Sequence, residues 1–379
     1  MSGRTVLVLP SWYPTEQQPY LGPFVRDHVR AAAAFGHRMV VLVDEGVDES
    51  LSAPFSLREE RDGDVREFRF AYRVRTGLFG YVPTAIRLAR RLGREGTPVE
   101  VLHGHIHRMG WAAVLVGEVL RRPAVITENS SAWPRHLMSR GELYRARIAF
   151  RRAAFVCPVN KRLQSAIESY GVRGRFRIVP NTVDTGVFHP GGARRAEAPT
   201  RLVTVSLHVE VKGLDVLLNA FSHVAAQRPE LTLELIGEGP LTPRLRALAK
   251  ALGVDDRVEF AGLATPLQIA DRLRASDVFV LSSLSENMPL AVLEALCCGL
   301  PVAATDVGGV PEAVGNDGAL APPGDPDALA KAIETVLDEY PRFDRLEIAR
   351  RTADRFSFEA VGGVWDEIYR NLTSRYSSS

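Results

Sequence analysis

Short aliphatic runs separated by amphipathic segments recur along this whole chain, and that alternation limits its fold more than any other feature. "RTVLVLP" (4–10), "RMVVLV" (38–43), "VREFRF" (65–70), "PVEVLH" (98–103), "PAVIT" (123–127), "AAFVCP" (153–158) and "RFRIVP" (175–180) are strand-length apolar runs. Segments 24–37, 81–94, 110–120, 140–152 and 160–170 carry helical spacing between them. Strands with two apolar faces need cover on both sides. The pattern therefore predicts an α/β domain with a mostly parallel sheet.

The alternation pauses at 180–200, "PNTVDTGVFHPGGARRAEAPT", which is rich in Pro, Gly and charge and has no period. It restarts at "RLVTVS" (201–206), followed by a helix with Leu214, Leu217, Leu218 and Phe221 at i, i+3, i+4, i+7. Further strands are expected at 231–237, 257–262, 277–283 and 300–305, and closing helices at 325–339, 345–354 and 358–371. Two domains follow: residues 1–185, with the last helix (358–375) returning to them through Trp365 and Tyr369, and residues 190–355.

Composition removes several classes of function. A net charge of +2 does not suit a strongly electrostatic nucleic-acid binder. Cys157, Cys297 and Cys298 form neither a CxxC pair nor an even set, which fits a reducing compartment. No leader peptide or membrane-length apolar run is visible, so a soluble, cytoplasmic protein is expected. Arg87, Arg90, Arg91 and Arg94 stand beside Ile86, Leu88 and Leu92, and "RARIAFRR" (145–152) adds more basic charge. These segments read either as a solvated arginine face or as a peripheral contact with the inner face of a membrane.

Ligands of open α/β sheets bind at the carboxyl ends of the strands, and two such domains would face each other across a cleft. Several strand-end loops stand out. "SENMPLAVLEALCCG" puts Glu286 before a helix that opens near Pro289 and Glu294 inside it, among aliphatic residues. "VEVKGLDVLLNAF" puts Lys212 and Gly213 at another helix start, a pairing suited to phosphate but also found on ordinary surfaces. "LIGEGPL" contributes Gly237 and Gly239. "HGHIH" alternates His103, His105 and His107, yet no Cys or carboxylate nearby in sequence completes a metal set. His208 and Glu210 are further candidates without an assigned role.

Together, in this order, these segments resemble glycosyltransferase family 4, the retaining enzymes with the GT-B fold of two Rossmann-like domains. Glu286 and Glu294 match the family's E-x7-E within "S-x-x-E-x-x-P-L-x-x-L-E-A-x-x-C-G-x-P-V". Lys212 to Phe221 match "K-G-x-x-x-L-L-x-A-F", Gly237, Gly239 and Pro240 match "G-x-G-P", and Val258, Phe260 and Gly262 match "V-x-F-x-G". Pro180, Asn181, Val183, Asp184, Phe188 and Pro190 match the hinge "P-N-x-V-D-x-x-x-F-x-P". The N-terminal half matches more loosely, through "GPFVRDHVRAAAAFGHRMVVL" and "VLHGHIH".

The resemblance implies a nucleotide-sugar donor and an unidentified acceptor that is lipid-linked, a polysaccharide or a small metabolite. Glu286 would bind the donor sugar, and the backbone at Asn287, Met288, Pro289 and Leu290 would hold the sugar and diphosphate. Glu294 would hold the ribose, and Lys212 would neutralise the leaving diphosphate. Gly213, Gly237, Gly239 and Gly22 would let the backbone approach the donor. His105, Glu128 and Asn129 would lie on the acceptor side. No cofactor or metal is implied, since protein groups would carry the leaving-group charge. Three positions depart from the pattern: Leu207 replaces an arginine, Asn129 a histidine, and Gly22 stands alone where two glycines are usual. A catalytically silent nucleotide-sugar-binding or scaffold member is the alternative. A dinucleotide oxidoreductase is disfavoured, because no G-x-G-x-x-G turn follows the first strand.

Overall fold

The computed structural model describes residues 3–15, 18, 21–74, 78–191 and 199–376. Backbone packing divides the chain into two compact units. One runs to Thr182 and takes back the chain from Phe358 onward, and the other spans Val183–Ser357. Residues 192–198 of the expected junction and 75–77 of the expected basic segment lie outside the described residues.

The first unit contains β1 (Thr5–Leu9), α1 (Pro23–Ala34), β2 (Arg38–Val47), β3 (Phe55–Asp62), β4 (Val65–Tyr72), α2 (Leu78–Arg94), β5 (Val101–His105), α3 (Ile106–Leu120), β6 (Ala124–Glu128), α4 (Arg140–Arg152), β7 (Phe155–Pro158) and α5 (Lys161–Ser169). Its sheet has the order β3-β4-β2-β1-β5-β6-β7. All neighbours are parallel except β3 and β4, a hairpin that the apolar pattern did not predict. The hairpin turns on Gly63 and Asp64, with Gly63 at φ 59°, a conformation glycine adopts without strain.

The expected strand at 175–180 does not form. That segment runs beside β7 and exchanges bonds with Val156, but the pairing stops at one isolated bridge, Val156 to Phe176. Pro158 has no N–H to give to the Arg177 carbonyl, and only the Val179 N–H to Pro158 carbonyl bond follows.

The second unit contains β8 (Arg201–Val205), a 3₁₀ turn (Glu210–Lys212), α6 (Leu214–Gln227), β9 (Thr232–Ile236), α7 (Thr242–Ala251), β10 (Val258–Gly262), α8 (Pro266–Ala275), β11 (Val278–Leu281), α9 (Leu290–Cys297), β12 (Val302–Thr305), α10 (Val310–Val314), β13 (Gly318–Ala321), α11 (Pro326–Asp338) and α12 (Arg345–Phe356). The sheet is entirely parallel, in the order β10-β9-β8-β11-β12-β13. β13, "GALA", escapes sequence reading because its small residues carry little apolar signal. Leu217, Leu218 and Phe221 of α6 pack in one core with Leu233 and Leu235 of β9 and Ile333 of α11.

The final helix, α13 (Phe358–Tyr376), belongs to the first unit. Trp365 and Tyr369 are buried in that unit's core with Val6, Val29 and Met39. The core there is partly polar. Trp365 Nε1 donates to His28 Nδ1 at 3.0 Å, and His103 bonds both Tyr369 Oη and Thr127 Oγ1 at 2.7 Å. On α2, Leu88 and Leu92 are buried while Arg87, Arg90, Arg91 and Arg94 are exposed. Arg91 pairs with Glu59 and Glu95. The apolar stripe of α2 thus faces inward, and its outer face is arginine.

Both sheets reverse strand order beside the first strand of their unit, between β1 and β5 and between β8 and β11. A reversal sends the flanking connections in opposite directions and leaves a crevice at the carboxyl ends.

Candidate active site

The crevice of the second unit lies between the loops that follow β8 and β11, and those loops carry Lys212 and Glu286. Lys212 closes the 3₁₀ turn. Gly213, at φ 55°, then reverses the backbone into α6. Any side chain there would press its β-carbon on the carbonyl oxygen of Ser282, so only glycine lets the two loops meet. Ser282 Oγ donates to the Lys212 carbonyl at 2.9 Å, and the Leu284 N–H donates to the Val211 carbonyl at 2.8 Å. Thr305 Oγ1, at the end of β12, donates to the Ser283 carbonyl at 2.7 Å. The Glu286 loop is therefore anchored on both flanks.

Within this frame Lys212 Nζ donates to Glu286 Oε1 at 2.5 Å, and Ser283 Oγ donates to the same oxygen at 2.9 Å. The Lys212 and Glu286 side chains are 25% and 12% exposed. The pair is thus shielded enough for its charges to matter and open enough for a ligand to reach. Asn287, Met288 and Pro289 are buried, and Leu290 is half-buried at the start of α9. Pro289 is the residue before the helix and not part of its first turn. It has no N–H, so of the four backbone positions proposed to hold the donor it is the one that cannot donate. Glu294 is half-buried on α9, between the buried Leu293 and Ala295.

Gly237 sits at φ 132° where the loop after β9 turns, and its N–H donates to the Gly262 carbonyl at 2.8 Å. Gly239 donates to Thr242 Oγ1 at 3.1 Å, and that hydroxyl also bonds His208 Nδ1 at 2.7 Å. Burial lowers the pKa of His208, which ties the β8 and β9 loops together as a neutral ring.

Four contributors were given no role from sequence: Ser283, although it opens the S-x-x-E frame, and Thr305, Gly308 and Gly309. The Gly309 N–H donates to the Asn287 carbonyl at 2.5 Å, and Gly308, at φ 50°, packs on the Glu286 carbonyl. "TDVGGVPEAV" did carry a signal, a Gly-Gly at a strand end before a proline-started helix.

In the first unit, the crevice between β1 and β5 holds Gly22 and His105. Gly22, at φ 70°, starts α1 against the Trp12 carbonyl. Ser11 Oγ, after β1, donates to the His105 carbonyl at 2.9 Å. The His105 ring is fully buried, stacked on His103 at 4.4 Å between centroids, and neither nitrogen has a partner among the described residues. Burial holds its pKa well below the ordinary value. Ile106 follows at φ 69°, a strained conformation for a β-branched residue. His107 turns away to Glu128, so the three histidines do not converge.

Glu128 corrects the sequence expectation. It is fully buried, and its carboxylate accepts the His107 N–H at 2.8 Å, the Ser130 N–H at 2.8 Å and the His107 ring at 3.2 Å. It braces the start of α3 from inside and does not line an acceptor surface. Asn129 is half-exposed and donates to Asn181 Oδ1 at 3.3 Å. The three cysteines are free and buried, and burial raises their pKa values, that of Cys298 to about 12. They are not poised as nucleophiles.

Residues 22–187 match the family model described as Glycosyltransferase Family 4, and residues 199–339 match that described as Glycosyl transferases group 1. The chain belongs to glycosyltransferase family 4. A D-inositol 3-phosphate glycosyltransferase of Corynebacterium jeikeium is 27% identical over 308 residues, covering 73% of this chain and 74% of that protein. A phosphatidylinositol N-acetylglucosaminyltransferase subunit of Arabidopsis thaliana is 31% identical over 192 residues, 51% of this chain, and the match spans 43% of that relative's length. Among solved structures, sucrose-phosphate synthase from Thermosynechococcus elongatus superposes with a TM-score of 0.74 at 22% identity, covering 98% of this chain and all of that one. Anabaena Alr3699/HepE in complex with UDP gives 0.74 at 18% identity, covering 97% of this chain and 100% of that chain. The fold of this family member is accordingly GT-B, two α/β units with parallel sheets.

Proposed function

We propose that this chain moves a sugar from a nucleoside-diphosphate sugar to an acceptor hydroxyl, retaining the donor's anomeric configuration and using no metal. The meeting of Lys212 and Glu286 at the strand-order reversal of the second unit carries this reading. As the bond between the anomeric carbon and the diphosphate breaks, negative charge grows on the leaving oxygens. The Lys212 ammonium stabilises that charge, and donors placed in advance are worth more there than in water. A Glu286 freed from Lys212 accepts hydrogen bonds from the sugar hydroxyls. Glu294 is assigned to the ribose, and Gly213, Gly237 and Gly239 to close backbone approach. With the charge met by a side-chain cation, turnover is expected to persist in excess EDTA.

The HepE structures in complex with UDP and with UDP-glucose make UDP-sugars the first donors to try. The relatives' names make D-inositol 3-phosphate and phosphatidylinositol the first acceptors to try. A thermal-shift screen against UDP-, GDP- and ADP-sugars tests the donor, because a ligand that binds only the folded state raises the melting temperature. No shift with any of them would count against the assignment.

Leu207 favours a second reading, a silent binding member. It is 46% exposed on the loop after β8, where the family pattern has an arginine. Donor hydrolysis or transfer by the purified protein would exclude that reading. Peripheral membrane contact enters the proposal only through α4, whose exposed Arg145, Arg147, Arg151 and Arg152 lie beside Tyr144. Equal flotation with neutral and anionic vesicles would dismiss it.

A further inference from the structure

The adjacent residues Ser282 and Ser283 directly follow β11, and each is almost completely buried. Their hydroxyls reach two different loops. Ser282 Oγ donates to the Lys212 carbonyl at 2.9 Å, and Ser283 Oγ donates to Glu286 Oε1 at 2.9 Å. The Ser283 carbonyl is itself held by Thr305 Oγ1 at 2.7 Å.

We propose that Ser282 and Ser283 form a two-handed yoke that positions the donor-site pair, Ser282 fixing the backbone of Lys212 and Ser283 fixing the carboxylate of Glu286. This inference rests on the donor-site reading given above. Lys212 Nζ and Ser283 Oγ share one oxygen of Glu286. A diphosphate that draws Lys212 away leaves Ser283 still bonded to that oxygen. The carboxylate then keeps its orientation while sugar hydroxyls take up the acceptor capacity the ammonium gave up. Ser283 therefore acts on the sugar through Glu286, and Ser282 acts on the phosphate through Lys212. Both are positioning residues, and their losses should separate.

The test compares Ser283→Ala, Ser283→Thr, Ser282→Ala and Glu286→Ala in the full chain. The readouts are melting temperature, Kd for sugar-free UDP, and kcat and KM with a UDP-sugar that the wild type turns over. Ser283→Ala is expected to lower kcat/KM by roughly tenfold or more, as suits a lost hydrogen bond to a charged group. Its UDP affinity should stay at the wild-type level, and Ser283→Thr should recover part of the rate by restoring the hydroxyl. Ser282→Ala should weaken UDP itself.

Unchanged kcat/KM in Ser283→Ala, alongside an inactive Glu286→Ala, overturns the yoke and leaves the donor-site reading standing. Equal losses of UDP affinity and kcat/KM in Ser283→Ala mean general loop damage and also overturn it. A Glu286→Ala protein that transfers normally overturns both. If Ser283→Ala does not fold, Ser283→Cys, whose thiol is only a weak donor, decides the matter: it must keep UDP affinity and show a rate loss confined to the sugar-dependent steps, and a wild-type rate would count against the yoke.

Discussion

Lys212 Nζ and Glu286 Oε1 lie 2.5 Å apart although 74 residues separate them in sequence. The strand-order reversal between β8 and β11 brings them together. Each group satisfies the other's charge, so neither is buried unpaired. On the proposed reading, donor binding exchanges this ion pair for an ammonium–phosphate pair and for hydrogen bonds from sugar hydroxyls to the carboxylate.

Lys212→Ala should therefore slow transfer by about one to two orders of magnitude, the range expected from losing a charged hydrogen bond of about 1.5–3 kcal/mol. Affinity for the nucleoside diphosphate should fall and affinity for the bare nucleoside should hold. Arginine at 212 should rescue only in part, since a planar fork does not replace a compact ammonium. Calorimetric titration with steady-state turnover checks this. Unchanged diphosphate affinity and rate would mean another group meets the leaving charge.

Gly308→Ala tests the brace under the Glu286 loop. At φ 50° an added β-carbon would run into the Glu286 carbonyl oxygen, and the loop would have to shift. Donor kcat/KM is expected to fall by at least tenfold, since small misplacements of reacting groups cost rate steeply. Melting temperature should change far less than activity. Wild-type kinetics would show that the loop tolerates displacement.

Burial holds the pKa of His28 at about 4 and that of His103 at about 3, against an ordinary 6.5; for His103 the nearby His28 adds to the effect. Below pH 6.5 the unfolded chain binds protons at these rings and the folded chain does not. Stability is therefore lost as pH falls from 6.5 toward 4, by about 1.4 kcal/mol per pH unit for each ring. His107, whose pKa is raised by Glu128 against its own burial, works oppositely and above pH 6.5. Melting temperature should drop between pH 7 and pH 5, and His103→Gln should flatten that slope. An identical slope in the variant would remove His103 from the account.

Retention is the stereochemical prediction. Proton NMR of freshly formed product should show the donor's anomeric configuration. An inverted coupling constant would contradict the proposed reaction.

The parallel architecture was legible because doubly covered strands leave continuous aliphatic runs, as in "VLVL" and "VFVL". The hairpin strand β3, "FSLREERD", was not. Its partner covers only one edge, and its charged residues face solvent or pair with Glu45, Arg66 and Arg69. Lys212, Glu286 and the glycines beside them stood out in the sequence because a phosphate-binding loop would need such residue types at a strand end. The roles of Ser283, which opens the S-x-x-E frame, and of Thr305 were not legible, since a serine that orients a carboxylate looks like any other serine until the fold brings the two together. Glu128 misled for the opposite reason: a carboxylate at a strand end suggests a site, and only its three internal donors reveal a brace.

The most direct test of the central claim is calorimetric titration of UDP and of a turned-over UDP-sugar into wild type and Glu286→Ala, with transfer measured on the same samples. Glu286 is assigned to the sugar. The variant should therefore bind UDP within about threefold of wild type, a difference of well under 1 kcal/mol. It should lose the affinity that the sugar adds and show no detectable transfer. Equal loss of affinity for UDP and UDP-sugar, or transfer at the wild-type rate, would mean that Glu286 does not hold the donor sugar and that the donor site lies elsewhere.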